Sequence, residues 1–376
     1  MNIFFPFACS LSDAGGESAC RGCAREGAAE DNPAKTAFIA RQEWPRSHER
    51  SHNAKPKPGG AGARRAGEGE PAKRIGRRGA FRPGLLIGAN CLVFFLLILR
   101  PALAAGAGAT RPNPFFAFCM DTHDAKKRSL AEQATLLKEL GYDGAGHLWL
   151  DNVPERFKTL DAAGLKLFQI YVRVDIAPEA KPPYDPRVKE VLPLLKGRDT
   201  MLAALVTGGK PSDATRDARA VELLREIADL AQPHGVKIAL YPHINDWLER
   251  LDDALRVAKK VERRNVGVMF NLCHWLKVED ERNLTPQLQA ALPYLFAVSI
   301  NGSDRGADLR SGKGQWIVPL DTGAFDMLGF LRTLKELGYT GPIGLQCYGI
   351  PGDARDHLSR SIAAWRKLSQ RLAETK

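Results

Sequence analysis

Four histidines of this chain lie at or just after the ends of short apolar runs, where other polar side chains with possible catalytic roles also occur. They are His123, His147, His243 and His274. An imidazole gains or loses a proton close to neutral pH, so histidines are frequent acids and bases in catalysis. We predict that His243 and His274 transfer protons to and from a substrate. For each histidine taken alone, the alternative is a hydrogen-bonded loop residue without a catalytic role.

Amide, hydroxyl and charged side chains end or follow other apolar runs. We predict that six of them bind the substrate together with His123 and His147; they are Tyr241, Asn271, Lys277, Asn301, Asp304 and Gln346. Amide side chains both donate and accept hydrogen bonds, which suits them to the hydroxyl groups of a polar ligand.

Residues 237–280 indicate how these side chains are positioned. Two apolar runs, one ending at Tyr241 and the other at Asn271, flank a segment in which Leu248, Leu251 and Leu255 recur at helical spacing. Strand, helix and strand with short joints are typical of a parallel α/β unit. In a barrel of such units every strand points its C-terminal end at one face, so the candidate side chains should meet there.

The same alternation continues from Pro114 onward. The pattern predicts strands at 115–120, 144–149, 167–174, 201–206, 238–241, 266–271, 296–300 and 343–347. It predicts helices at 129–140, 155–163, 187–196, 217–231, 247–262, 286–295, 324–337 and 355–372. Eight strands and eight helices over about 260 residues are typical of a (β/α)8 TIM barrel.

A repeated segment supports this α/β fold class. Residues 137–144 (LKELGYDG) and 334–341 (LKELGYTG) differ at one position. In each, a glycine follows the predicted helix and precedes a strand, as is common at helix C-termini. We therefore predict a TIM barrel at 106–376 that reuses one unit around a ring.

The residues before the barrel have a different composition. Residues 1–82 are rich in Ala, Gly, Pro, Arg and Glu without a periodic apolar pattern, which predicts a disordered leader or an over-long reading of the start site. At 83–105, an apolar run of about fifteen residues lies between arginines and an Ala-Leu-Ala site, which predicts a signal peptide and export to the periplasm or medium. An uncleaved N-terminal membrane anchor is the alternative.

Net charge and cysteine positions argue against a nucleic-acid-binding protein and against a fold held by disulfides. The net charge is +11, but residues 1–104 account for +7 of it, so the basic pI does not predict a nucleic-acid partner. Four of the seven cysteines fall before the barrel. The other three lie in apolar runs, and we expect buried thiols rather than disulfides; they are Cys119, Cys273 and Cys347.

Residues 114–372 resemble the xylose isomerase-like TIM barrels, the superfamily of sugar phosphate isomerases and epimerases that includes the endonuclease IV type. The resemblance is most specific in YPH (241–243), NVGVMFNLCHWLK (265–277), INGSD (300–304) and GYTGPIGLQCYGI (338–350). It implies a small sugar as substrate. In catalytic epimerases of this family, four strand ends supply Glu, Asp, His and Glu to one divalent metal, and carboxylates move a proton through an enediolate.

This chain departs from that pattern at the four ligand positions. They are occupied by Tyr241, Asn271, Asn301 and Gln346, all neutral side chains. Hard cations prefer charged oxygen ligands, so we predict no metal at these positions and leave the cofactor open. An alternative metal site would gather His243, His274 and either His123 or His147. His274 itself matches the substrate-side histidine of the family.

The expected function is therefore an exported, carbohydrate-active barrel that transfers a proton next to a sugar carbonyl, as an isomerase or epimerase does. A β-eliminating lyase of keto-sugars is one alternative. A non-catalytic sugar-binding barrel that has lost its metal site is the other. Trp149, Trp275 and Trp316, close to the same predicted face, would stack on a sugar ring or close the barrel mouth. The membrane would be a partner only through an uncleaved signal segment.

Overall fold

Eight parallel strands close into a barrel in the computed structural model, which describes residues 113–374. The strands are β1 (Phe115–Phe118), β2 (Gly144–His147), β3 (Lys166–Asp175), β4 (Met201–Thr207), β5 (Ile238–Leu240), β6 (Val266–Asn271), β7 (Leu295–Ile300) and β8 (Ile343–Gln346). Each strand pairs with its neighbour in sequence, and β8 returns to pair with β1 through Phe118 and Gln346. The predicted TIM barrel is confirmed.

Ten α-helices surround this barrel within the described residues. They are α1 (Leu130–Leu140), α2 (Val153–Ala163), α3 (Val188–Leu195), α4 (Asp217–Ala231), α5 (Leu251–Val261), α6 (Leu272–Val278), α7 (Leu284–Ala291), α8 (Gly306–Arg310), α9 (Met327–Glu336) and α10 (Ala354–Glu374). Each of the eight longer segments predicted from periodicity contains a helix, but α5 and α9 begin three to four residues later than predicted, and α7 ends at Ala291 rather than at 295. The short helices α6 and α8 were not predicted, because they occupy stretches read as loops after β6 and β7.

Aromatic side chains fill much of the barrel interior. Phe116 stacks on Phe168 with ring centroids 4.6 Å apart, and Tyr171 meets Tyr241 edge-on at 5.1 Å. Gly344 on β8 makes room for this packing, since a Cβ there would lie 2.7 Å from the Phe116 ring. The interior is therefore a packed core, so a functional site is expected at the ends of the strands.

The repeated segment forms the joint that its sequence predicted. Helix α1 begins with a capping box between Ser129 and Glu132. It ends at Gly141, whose positive φ of 83° lets its N–H reach the carbonyls of Leu137 and Lys138. Gly338 has φ of 78° at the corresponding joint after α9.

Other expectations have mixed outcomes. The three barrel cysteines are buried and free, as predicted. His357 on α10 is only 4% exposed, because α10 packs that face against the barrel. The predicted disordered leader and the predicted signal peptide lie outside the described residues. No helix in the described part of the chain is both long and apolar enough to cross a membrane.

Candidate functional site

Two histidines meet at the C-terminal ends of β5 and β6. His243 follows β5 by three residues, and His274 lies in the first turn of α6. Their ring centroids are 4.0 Å apart, with an angle of 45° between the ring planes. Trp316 packs edge-on against His274 at 5.3 Å. The structure thus brings together the two residues predicted to transfer protons.

Hydrogen bonds assign opposite tautomers to the two rings. Nδ1 of His243 lies 2.9 Å from the carbonyl oxygen of Ile244, so Nδ1 carries the proton and Nε2 is the basic nitrogen. The backbone N–H of Ile244 donates to Nδ1 of His274 at 3.4 Å, which leaves the proton of the neutral His274 ring on Nε2. The pair therefore offers one basic nitrogen and one N–H donor.

Burial keeps both rings neutral at neutral pH. Loss of water around His243 lowers its pKa to about 4, and the charge of Arg173 adds to this effect. Burial also lowers the pKa of His274 well below its usual value, with a further contribution from His243. A neutral imidazole can still polarise a carbonyl by donating its N–H.

Asp246 is the functional candidate that sequence reasoning missed. Its Oδ2 lies 3.5 Å from Nδ1 of His243, on the loop between β5 and α5. Burial raises the pKa of Asp246 to about 7, although the charge of Arg173 opposes this rise. A carboxyl group that titrates near neutral pH is well matched to proton transfer. The signal in the sequence is the three-residue spacing of a histidine and an aspartate directly after a strand.

Arg173 brings a positive charge to the same face. It lies on β3 two residues after Tyr171, just as His243 lies two residues after Tyr241 on the chain leaving β5. Alternate residues of a strand share a face. Because Tyr171 and Tyr241 are in contact, Arg173 and His243 lie on the same side as these tyrosines, two residues closer to the barrel mouth. The guanidinium of Arg173 lies over the ring of Trp149, 5.3 Å from its centroid.

Neutral hydrogen-bonding groups form the floor below the histidines. Nε2 of Gln346 donates to the hydroxyl of Tyr241 at 3.3 Å. Oδ1 of Asn271 accepts from the hydroxyl of Ser299 at 2.7 Å, while its Nδ2 donates to Pro242 O. Burial raises the pKa of Tyr241 well above its usual value, so its hydroxyl stays protonated. The floor carries no charge.

Asn301 and Asp304, which were predicted to bind the substrate, form hydrogen bonds with the loop after β7 that carries Trp316. Asn301 donates to the carbonyls of Gly302 and Trp316. Asp304 accepts from the backbone N–H groups of Gln315 and Ala324. Together they fix the segment that carries Trp316 to His274.

Lys277 packs against the same tryptophan. Its Nζ lies 5.0 Å from the ring centroid of Trp316 and donates to Leu309 O on α8. Burial lowers the pKa of Lys277.

The other two predicted histidines have separate partners. His147 is buried against Arg156, whose Nε donates to its Nδ1 at 3.3 Å, and its Nε2 lies 2.6 Å from Asp151 O. His123 is exposed and meets the ring of Tyr348 edge-on at 5.3 Å. Each of these histidines thus has partners other than the pair formed by His243 and His274.

The donor groups do not fit the metal that the resemblance implies. Tyr241, Asn271 and Gln346 are neutral and already bonded to neighbouring groups. Across residues 113–374, no group of three or more His, Cys, Asp or Glu side chains is arranged to hold a metal ion. The alternative site of three histidines is therefore not assembled in this part of the chain. A divalent ion at the floor would lack compensating charge.

Comparison with known proteins gives the same architecture. Residues 188–368 match the model of the xylose isomerase-like TIM barrel family. An inosose isomerase of Bacillus licheniformis is 24% identical over 161 residues, which cover 42% of this chain and 57% of that enzyme. The chain thus spans about half the length of such curated relatives.

Solved structures agree on the fold. An L-ribulose 3-epimerase superposes with a TM-score of 0.56 at 14% identity, covering 70% of this chain and 96% of that one. The probable 3-DHS dehydratase AsbF of Bacillus anthracis superposes with a TM-score of 0.54 at 15% identity, covering 67% and 98%. The resemblance predicted from the sequence is confirmed for residues 188–368, which match the xylose isomerase-like TIM barrel family, and the solved structures share the barrel fold.

Proposed function

We propose that this protein transfers a proton on the carbon next to the carbonyl of a small sugar or related polyol, as an isomerase or epimerase does. The observation that carries this proposal is the pair of neutral histidines in opposite tautomers, 4.0 Å apart at the barrel mouth. The names of its relatives, which include isomerases, an epimerase and a dehydratase, support this class of reaction.

The two rings suit the two halves of such a reaction. Nε2 of His243 would take the proton from carbon, and the carboxylate of Asp246 near its Nδ1–H would stabilise the imidazolium. The Nε2–H of His274 would donate to the carbonyl oxygen and stabilise the negative charge that develops there. Isomerisation is completed when His243 returns the proton to the former carbonyl carbon and the proton of the adjacent hydroxyl passes to the former carbonyl oxygen. Epimerisation is completed when water delivers a proton to the opposite face of the original carbon and His243 releases its proton to solvent. Trp316 lies beside His274 and would limit access of water.

Exchange of substrate hydrogen with heavy water tests this proposal. Ketoses, aldoses and keto-inositols are incubated with the protein in heavy water, and loss of the proton signal next to the carbonyl is followed by NMR. His243→Gln and His274→Gln should each slow exchange by about 100-fold. His234→Gln is the matched control, because His234 lies before β5 at the opposite end of the barrel. Exchange that persists unchanged in both site variants would contradict the assignment.

A non-catalytic sugar-binding barrel is the second candidate. It is favoured by one observation, the neutral floor at the positions where the family places charged ligands. Saturable sugar binding without hydrogen exchange on any compound tested would support it. A β-eliminating lyase would instead show exchange together with release of water or a leaving group from the β-carbon, which the same spectra record.

We also propose that the protein is exported. The support is the sequence of residues 70–112, with its arginines, apolar run and Ala-Leu-Ala site. A reporter fused after these residues should cross the bacterial inner membrane and acquire a new N-terminus near Ala105. A reporter that remains in the cytoplasm would argue against export, and an uncleaved membrane-bound reporter would indicate an anchor.

A further inference from the structure

Arg173, near the C-terminal end of β3, has no acidic partner among the described residues. In the described residues, no carboxylate approaches its guanidinium within the ion-pair distance of 4.0 Å. Arg128, Arg187 and Arg256 each pair with two aspartates. Arg173 is exposed, and it rests on the ring face of Trp149. A guanidinium that lies on an aromatic ring keeps N–H groups at its edge for an anion.

The charge of Arg173 acts on the candidate catalytic groups. It lies at the same face of the barrel as His243, and its positive charge lowers the pKa of both His243 and Asp246. Asp246 does not neutralise it, since a carboxyl group with a pKa of about 7 is partly protonated at neutral pH. A ligand at the histidine pair would thus meet one cation, two neutral rings, the partly protonated Asp246 and an uncharged floor.

This arrangement selects ligands by charge. A single guanidinium matches the single negative charge of a carboxylate and its two coplanar oxygens. A phosphate monoester carries about −1.5 to −2 charges at neutral pH and is usually bound by more than one cation. Lys277 is turned to other partners, the ring of Trp316 and the carbonyl of Leu309.

We propose that the substrate is a sugar acid and that Arg173 binds its carboxylate while the carbonyl-bearing carbons lie at His243 and His274. This inference rests on the proposed function and specifies its substrate class. In the resembled enzymes a metal orients the substrate. The floor of this barrel is neutral and does not suit a metal, so we assign the orienting of the substrate to Arg173.

Calorimetric binding of matched ligands to the full chain tests the proposal. The probes are galactose with galacturonate, glucose with glucuronate, and glucose 6-phosphate, all at low ionic strength. For at least one pair the acid should bind about tenfold more tightly than the neutral sugar. Arg173→Met should abolish that difference. Added salt should reduce the difference, because it screens an exposed cation.

Arg198→Met is the matched control. Arg198 also lies over an aromatic ring, with 4.2 Å to the centroid of Phe157, but it lies outside the barrel mouth and pairs with Asp161. This variant should keep the preference for the acid.

Three outcomes would overturn the proposal. Equal affinity for acid and neutral sugar, with hydrogen exchange intact, would refute the role of Arg173 and leave the proposed function standing. Tighter binding of the phosphate than of the acids would refute the carboxylate assignment. No binding and no exchange with any of these compounds would refute both proposals.

Discussion

Asp246 combines partial burial with a position beside an arginine and a histidine. Burial raises its pKa to about 7, so the folded protein holds this proton more tightly than the unfolded chain, in which an aspartate titrates near about 3.9. The ionised form therefore lowers the stability of the fold as pH rises between these values. The effect of His243 has the opposite direction, because its pKa is lowered to about 4.

Asp246→Asn separates these two contributions. The free energy of unfolding of the variant, relative to that of the unmodified protein, should increase as pH rises from about 4 to about 7. Above about pH 7 it should increase no further, and the total increase should not exceed about 4 kcal/mol. Urea unfolding of both proteins between about pH 4 and about pH 8 measures it. A stability difference that does not change with pH would contradict the raised pKa.

The neutral floor leads to a prediction about metal binding. Asn271→Asp with Gln346→Glu restores two carboxylates at positions where the resembled family has them. We expect Mn²⁺ to bind the double variant and not the unmodified protein, because hard cations require charged oxygen ligands. Elemental analysis after dialysis against the metal measures this. Asn283→Asp with Gln370→Glu is the control, since both residues are exposed. Near-stoichiometric metal in the unmodified protein, lost in His274→Ala, would show the expectation to be wrong.

An ion pair between Arg250 and Glu279 joins the two elements that carry His243 and His274. Nη1 of Arg250, directly before α5, donates to Glu279 at 2.6 Å and to Val278 O at 2.7 Å, at the end of α6. The Glu279 side chain is 8% exposed, whereas that of Arg250 is 38% exposed. This contact connects the β5–α5 loop of His243 to the helix of His274.

Breaking that pair should cost more than breaking an exposed one nearby. Arg250→Met leaves a buried carboxylate unpaired, and we expect a loss of about 2 kcal/mol, less than for a fully buried pair because Arg250 is half-exposed. Arg282→Met is the control: its pair with Asp280 is largely exposed, so its loss should leave the free energy of unfolding nearly unchanged. Chemical denaturation measures both. Equal losses would mean that the buried position of Glu279 is unimportant.

At the scale of the whole molecule, barrel closure depends on residues from 113 onward. Ile343 N donates to Pro114 O at 2.8 Å, and Nδ2 of Asn113 donates to Gly341 O at 2.8 Å, next to the pairing of β1 with β8. A chain that begins at Gly106 keeps all of these contacts.

We therefore expect a chain starting at Gly106 to unfold cooperatively at the same temperature as the full chain. A chain starting at Asp121 is the control, because it lacks β1 and leaves the edges of β2 and β8 unpaired. It should show no cooperative transition. Thermal melting followed by circular dichroism measures both. A lower melting temperature for the first variant would show that residues before 106 contribute to stability.

The sequence by itself determined the barrel and which strand ends face one another. Strand periodicity and the glycine joint after α1 depend on residues close in sequence, so they can be read locally. The meeting of His243 with His274 follows from them, because neighbouring parallel strands end at the same face. Helices α6 and α8 were missed because five to seven residues are too few to show a helical period.

Only the tertiary structure decided what each polar side chain meets at that face. His147 turns to Arg156 and His123 remains exposed, although both follow strands in the same way as His243. The raised pKa of Asp246 and the unpaired charge of Arg173 depend on burial and on neighbours from other strands. Desolvation and electrostatic interactions act between residues distant in the chain, so no local pattern specifies them.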